Sequence, residues 1–266
     1  MILADKIKDR ISNVKGRIGI YFYDIDGDKS IFTGNCDVFA SWGIAKLMVM
    51  TEVFKQVEEG KINLRDEYVL EKKAFLAIPE KEREATVGIL DFLHEGLRLT
   101  IEDLLYMMIV ISDNCAFDIL LSFAGMDNVN NTLKSLGLVN TKINCFLSEA
   151  DGRKTEENNH HSVREVGSVL KRLYKRQLIS AEASDKMFKM LSYHQRRDVL
   201  SVFSNNNISV AQQTGFDQNA LHEAAIVMTE KPFIICMSAD DMDSKKAEKV
   251  MRDVADMCGR EMGLIW

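Results

Sequence analysis

Proline is nearly absent: only Pro79 and Pro232 interrupt 266 residues. No Gly/Ser-rich or Pro-rich stretch has the composition of a flexible linker, so nothing marks a boundary between separately folding parts. Also missing is any Lys/Arg block able to neutralise a run of phosphates. With 34 Lys+Arg against 40 Asp+Glu the balance is mildly acidic, and nucleic acid is not an expected partner. No apolar run approaches the ~20 residues that span a bilayer, so no membrane partner is expected either. The first ten residues, Met1 to Arg10, alternate charge with apolar positions and lack the uncharged core of a secretory signal. They read as a short amphipathic helix and make a cytoplasmic location the expectation, with a secreted form whose signal has been removed as the alternative. Five cysteines (Cys36, Cys115, Cys145, Cys236, Cys258) are an odd set without CxxC spacing, which fits neither a zinc site nor a disulfide framework. Reduced thiols are expected, with no metal, no cofactor and a monomeric chain.

What is present is periodicity that changes along the chain. Gly16 to Tyr23 and Lys29 to Thr33 are strand-like runs joined by Asp24-Ile-Asp-Gly-Asp, a hairpin signal. From Ile44 to about Glu59 apolar residues recur at helical spacing, and Gly60 supplies the stop. Further helical segments are expected at Ile101–Val110 behind an N-cap Thr100, at Cys115–Phe123 and at Met126–Leu136. After a polar loop from Ser148 to His161 they resume at Val163–Tyr174 and Ala181–Leu191. The last third predicts strands at Ile208–Gln212, Ala224–Met228 and Phe233–Ser238, then a helix over Ser244–Gly259. Hairpin, helices, three strands, helix is a mixed α/β (α+β) order. Its simplest packing joins first and last strands in one antiparallel sheet, the terminal helices covering one face. The chain reads as one domain over 1–266, with an α/β lobe of about 1–40 and 195–266 and an inserted helical lobe of about 41–194.

Three clusters could carry chemistry. The first is Phe39-Ala-Ser-Trp-Gly-Ile-Ala-Lys46, a small-residue turn feeding the long helix. A lysine one turn into a helix among apolar neighbours can have a desolvated, less basic amine able to take a proton from a hydroxyl at i−3. Here the i−3 residue is Gly43. Alone, such a lysine is ordinarily a side chain that snorkels from the core edge. The second is Ser112-Asp113-Asn114, between two helices, where Ser112 and Asn114 in an extended turn would face one pocket. Helix capping is the ordinary use of the same residues. The third is Gln213-Thr214-Gly215, where a Thr-Gly on a strand edge offers a hydroxyl and open backbone to a ligand, or simply ends the strand.

In this order the clusters resemble the S-x-x-K, S-D-N and K-T-G signature of class A serine β-lactamases and penicillin-binding proteins. The context is similar too. Phe39 through Asn63 resembles the helix that follows the nucleophile, Met108-Ile-Val-Ile-Ser-Asp-Asn-Cys-Ala-Phe-Asp the second motif's surroundings, and Asn159-His-His-Ser-Val-Arg-Glu the turn that closes the family's Ω-loop. The resemblance implies a β-lactamase-like fold and an acyl-enzyme hydrolysis of β-lactam amides in active relatives. In such a site Lys46 and Ser112 move the proton, Asn114 orients the ligand amide, and Gln213, Thr214 and Gly215 bind substrate.

The departures are specific. Gly43 stands where the nucleophilic serine belongs, and the absent hydroxymethyl group is the part that would be acylated. Ser41 is no substitute: five residues from Lys46 it lies roughly 140° around a helix, and it is read as a helix cap. Gln213 replaces a lysine, keeping a donor but losing the charge that holds a carboxylate. Glu149, Glu156 and Glu157 lie in or near the polar loop without the spacing of the family's deacylating glutamate. Cys36 and Cys115 are surrogate nucleophiles in principle, although Cys115 reads as a buried helical thiol. Two functions follow: a β-lactamase-type hydrolase left inactive or very weak, or a non-catalytic protein that binds a small β-lactam-like or acyl-peptide ligand in the same cleft. Gln213 favours the second, because a single knock-out would have changed Gly43 alone.

Overall fold

The computed structural model describes residues 2–71, 88–149 and 157–265, apart from the Asn205 side chain. The chain opens with helix α1 (Leu3–Ile11), then the hairpin β1 (Arg17–Asp24) and β2 (Lys29–Gly34). A short strand β3 (Val38–Ala40) leads through a 3₁₀ turn at Trp42–Ile44 into α2 (Ala45–Glu58). Strands β4 (Glu67–Val69) and β5 (Arg98–Thr100) form a small ribbon before α3 (Ile101–Val110), α4 (Asn114–Ala124) and α5 (Met126–Ser135). Strand β6 (His160–Ser162) pairs with β3 and continues into α6 (Val163–Tyr174), followed by α7 (Ala181–Ser192) and a short α8 (Ser201–Asn205). Three long strands, β7 (Ser209–Asp217), β8 (Ala220–Met228) and β9 (Phe233–Asp240), and helix α9 (Ser244–Glu261) complete it.

Five of the described helices start where the sequence supplies caps. Thr100 and Asp103 form a reciprocal capping box on α3; Asp113, Ser162, Ser180 and Asp243 each accept a backbone N–H in the first turn of α4, α6, α7 and α9. The five long strands form one antiparallel sheet in the order β2-β1-β9-β8-β7, so the hairpin at the start of the chain pairs with its last strand. That closure is the mixed α/β packing expected from the element order. Alternation along the strands divides the apolar residues between two cores. Ile18, Ile20, Phe22, Leu221, Ala225 and Ile235 pack with α1 and α9 on one face. Tyr23, Ala211, Ala224, Ile226 and Ile234 pack on the other with α6 and the helical middle of the chain.

The last three strands are longer than the sequence predicts. Gln213-Thr214-Gly215 lies inside β7, and His222-Glu223 inside β8. The polar residues that halted the apolar pattern are themselves buried, so the pattern ended while the ladder continued.

Among the described residues no helix is long and apolar enough to cross a membrane. None of the five cysteines forms a disulfide among the described residues.

Candidate functional site

Helix α2 is apolar on almost every side, and Leu47, Met48, Val49, Met50, Val53 and Phe54 are all buried. Lys46, in its first turn, is therefore not a snorkelling side chain: it is 1% exposed. Its Nζ lies 2.7 Å from the carbonyl oxygen of Ser112, 2.9 Å from Ser112 Oγ and 2.7 Å from Asn114 Oδ1. Burial pulls its pKa from the ordinary 10.5 to about 7, opposed by the nearby carboxylates of Asp113 and Asp118. A cation at this position is held by these hydrogen bonds, with no carboxylate among its three contacts.

Ser112 and Asn114 thus meet at Lys46, though not as an extended turn. Ser112 takes a left-handed conformation, φ 60°, and Asn114 opens α4. Asp113 between them faces away, accepting N–H bonds from Ile89, Leu90 and Ala116, which ties the chain at residues 89–90 to the start of α4. Trp42 is also left-handed, φ 44°. Two non-glycine residues in this sparsely populated region flank the cluster, one beside Gly43 and one in it, as strained backbone does at functional sites.

Gly43 sits against the edge strand. A β-carbon built on it would fall well inside van der Waals distance of the Thr214 carbonyl oxygen and 3.2 Å from the Gly215 α-carbon. A β-carbon on Gly215 would lie 3.0 Å from both Gly43 N and Ser41 O. The two glycines let the 3₁₀ turn and β7 close on each other, so the open backbone expected at Thr214-Gly215 is covered by that turn. Gln213 Nε2 donates to the carbonyls of Gly43 and Thr214 at 3.2 and 3.3 Å, leaving its buried Oε1 without a partner among the described residues. Ser41 precedes the 3₁₀ turn but its side chain caps nothing; its buried hydroxyl has no described partner. The cap expected there is therefore absent, because this short turn begins with Ser41 itself in helical φ/ψ.

His194 is a residue that sequence spacing did not reveal. Its Nδ1 lies 2.6 Å from the carbonyl of Ile109 and its Nε2 lies 2.9 Å from Thr214 Oγ1. A carbonyl can only accept, so Nδ1 carries the proton and Thr214 donates to Nε2. Burial pulls this histidine to about 4, and Lys46 adds to the effect. The Thr214 hydroxyl is thereby turned inward. Tyr193-His194-Gln195 follows α7 with no motif around it, and only the fold brings it to β7.

The polar loop contributes less. Asp118 accepts N–H bonds from Leu147 and Ser148, and burial raises its pKa. Glu149 and Glu157 are exposed, and Glu156 lies outside the described residues. Cys115 is buried in α4 and burial pushes its thiol pKa up, away from a reactive thiolate. Cys36, half-buried, contacts the Val38 carbonyl.

The fold is a β-lactamase-like one. The family model described as "Beta-lactamase enzyme family" matches residues 2–262, and the chain belongs to that family. Among solved structures it is similar to a β-lactamase from Sphaerobacter thermophilus DSM 20745, with 22% identity over 99% of this chain and 98% of that one and a TM-score of 0.88. It is similar also to PBP-A (21%, 97% and 95%, TM-score 0.85) and to the TLA-1 extended-spectrum β-lactamase (20%, 96% of each chain, TM-score 0.86). No curated protein matches the sequence.

Proposed function

We propose that this protein is a β-lactamase-family member in which residue 43 has left the chemistry, and that its Lys46, Ser112, Asn114 and Gln213 cluster holds a small β-lactam-like or acyl-peptide ligand without an acyl-enzyme at that position. The packing of Gly43 carries this reading. Deleting a serine side chain from a working site leaves a hole; here strand β7 occupies the place, with the Thr214 carbonyl where a side chain would begin. Gln213 supports it, since its amide is spent on the carbonyls of Gly43 and Thr214 and offers no cation to a ligand carboxylate. Loss of such a nucleophile removes about 10⁶ of the rate.

The test places the protein and its Gly43→Ser variant with penicillin G and a chromogenic cephalosporin. Turnover is followed by absorbance, adducts by intact mass and binding by thermal shift. The expected result is saturable stabilisation of the parent protein, no steady-state hydrolysis by either chain and no adduct at position 43 in the variant. An adduct and turnover restored by the serine alone would mean that the site is an ordinary hydrolase silenced at one position, and rapid turnover by the parent would mean that β-lactams are hydrolysed without residue 43.

A further inference from the structure

The three contacts of Lys46 Nζ can be satisfied in two ways. As an ammonium the nitrogen donates a proton to each: Ser112 O, Ser112 Oγ and Asn114 Oδ1. As a free amine it has two protons and a lone pair. The Ser112 carbonyl and Asn114 Oδ1 can only accept, so they take the two protons, and the lone pair is left facing Ser112 Oγ, whose own proton then points at nitrogen. Burial that brings Lys46 to about 7 keeps this amine populated at neutral pH. The serine is also held in a left-handed backbone that only surrounding structure can enforce. Its chain neighbour Ile111 lines an open groove of about 450 Å³ with Tyr106, Met107, Val110, Tyr193 and Gln195, so solvent-open space begins one residue away.

We propose that Ser112 and Lys46 are a nucleophile and base in their own right, and that activated acyl compounds react at Ser112 Oγ. The hydroxyl proton passes to Lys46 Nζ as Oγ bonds to the carbonyl carbon, and the C=O electron pair moves onto oxygen. Asn114 Nδ2 is the donor left for that oxyanion, because Oδ1 is engaged by Lys46. Collapse re-forms the carbonyl and breaks the bond to the leaving group, which takes the proton from Lys46. The inference goes beyond the ligand-binding reading, which stands whether or not Ser112 reacts.

An alkyl fluorophosphonate tests it on the full chain: Oγ–P forms, P–F breaks and fluoride leaves. One mass addition is expected, mapping after digestion to Ser112, with a labelling rate that rises through pH 7 as the amine is freed. Lys46→Met should slow labelling about 100-fold or more, and Ser112→Ala should abolish it. No adduct on the unmodified chain, an adduct at Ser41 or any other residue, or a rate indifferent to pH overturns the proposal. Because mapping uses the unmodified chain, the result does not depend on a variant folding. Penicillin G binding is measured by thermal shift on the same preparation. Binding without labelling sinks the Ser112 reaction alone, and labelling without binding sinks the ligand reading alone.

Discussion

Gly43 is where a single atom separates two accounts of the site. The backbone there has no positive φ, and at such a position Gly→Ala ordinarily stabilises by ~0.4–1 kcal/mol by stiffening the unfolded chain. The packing predicts the opposite sign, because the added carbon meets a backbone oxygen of β7 that cannot swing away. Overpacking of this kind costs ~1–3 kcal/mol, so Gly43→Ala should lower the urea midpoint at unchanged m-value. A neutral or stabilised variant would show that β7 gives way and that residue 43 has room after all. Position 43 was legible in the sequence because it breaks a motif whose other members, Lys46, Ser112 and Asn114, stand in order. The left-handed Trp42 and the His194–Thr214 bond were not. Each depends on what another part of the chain does, and neither leaves a spacing to read.

At the scale of an element, β8 and its neighbours hold more buried polarity than apolar alternation allows for. His222 on β8 and His161 on β6 stack edge to face, their ring centroids 5.2 Å apart, against Phe39. His161 Nε2 bonds Ser238 Oγ at 2.9 Å. Burial pulls His161 to about 3 and His222 well below 6.5, and His194 lies at about 4. These histidines are neutral when folded and gain protons when unfolded below pH 6.5, so the stability they permit is complete above that pH and is lost as pH falls. Glu223 on β8 acts against them: burial raises it well above 4.5, so the folded chain keeps a proton the unfolded chain releases. Asp118, also raised, acts the same way from 3.8 upward. As the unfolded imidazoles fill with protons below pH 6.5, the three histidines come to outweigh the two carboxyls by at most about one net proton near pH 5. At about 1.4 kcal/mol per proton per pH unit, stability should fall by up to roughly 1.4 kcal/mol per unit toward pH 5. Urea denaturation at half-unit steps reads the slope, and Glu223→Gln should steepen it. A flat profile, or one rising toward pH 5, would mean that the histidines reach water. These same residues explain why β7 and β8 look too short in the sequence, since a strand's apolar signal stops at a buried histidine or glutamine although its ladder does not.

For the whole molecule, helix positions were the most legible feature: α3 and α6 fall where the spacing predicts them. The closure of the hairpin onto β9 followed from element order, while the β3–β6 and β4–β5 ribbons, three residues a strand, carry too little pattern to be seen. That closure makes the beginning of the chain part of its end. Helix α1 buries Leu3, Ile7 and Ile11 in the core shared with α9 and the sheet, and Arg10 reaches Asp253 of α9 at 2.7 Å. The ion pair is partly exposed and contributes little; the three apolar side chains are each worth about 1.5–3 kcal/mol when buried. Together they amount to roughly half or more of the 5–15 kcal/mol by which a folded domain is normally stable. A chain lacking residues 1–12 should therefore lose cooperative unfolding, or melt tens of degrees lower, with α9 exposed to proteolysis. If α1 merely decorates the sheet, the shortened chain will melt within a few degrees of the full one. In the expected case Lys46 and Ser112 come apart with the sheet, because β7 holds the 3₁₀ turn that leads into α2, and fluorophosphonate labelling and penicillin-induced stabilisation should disappear together.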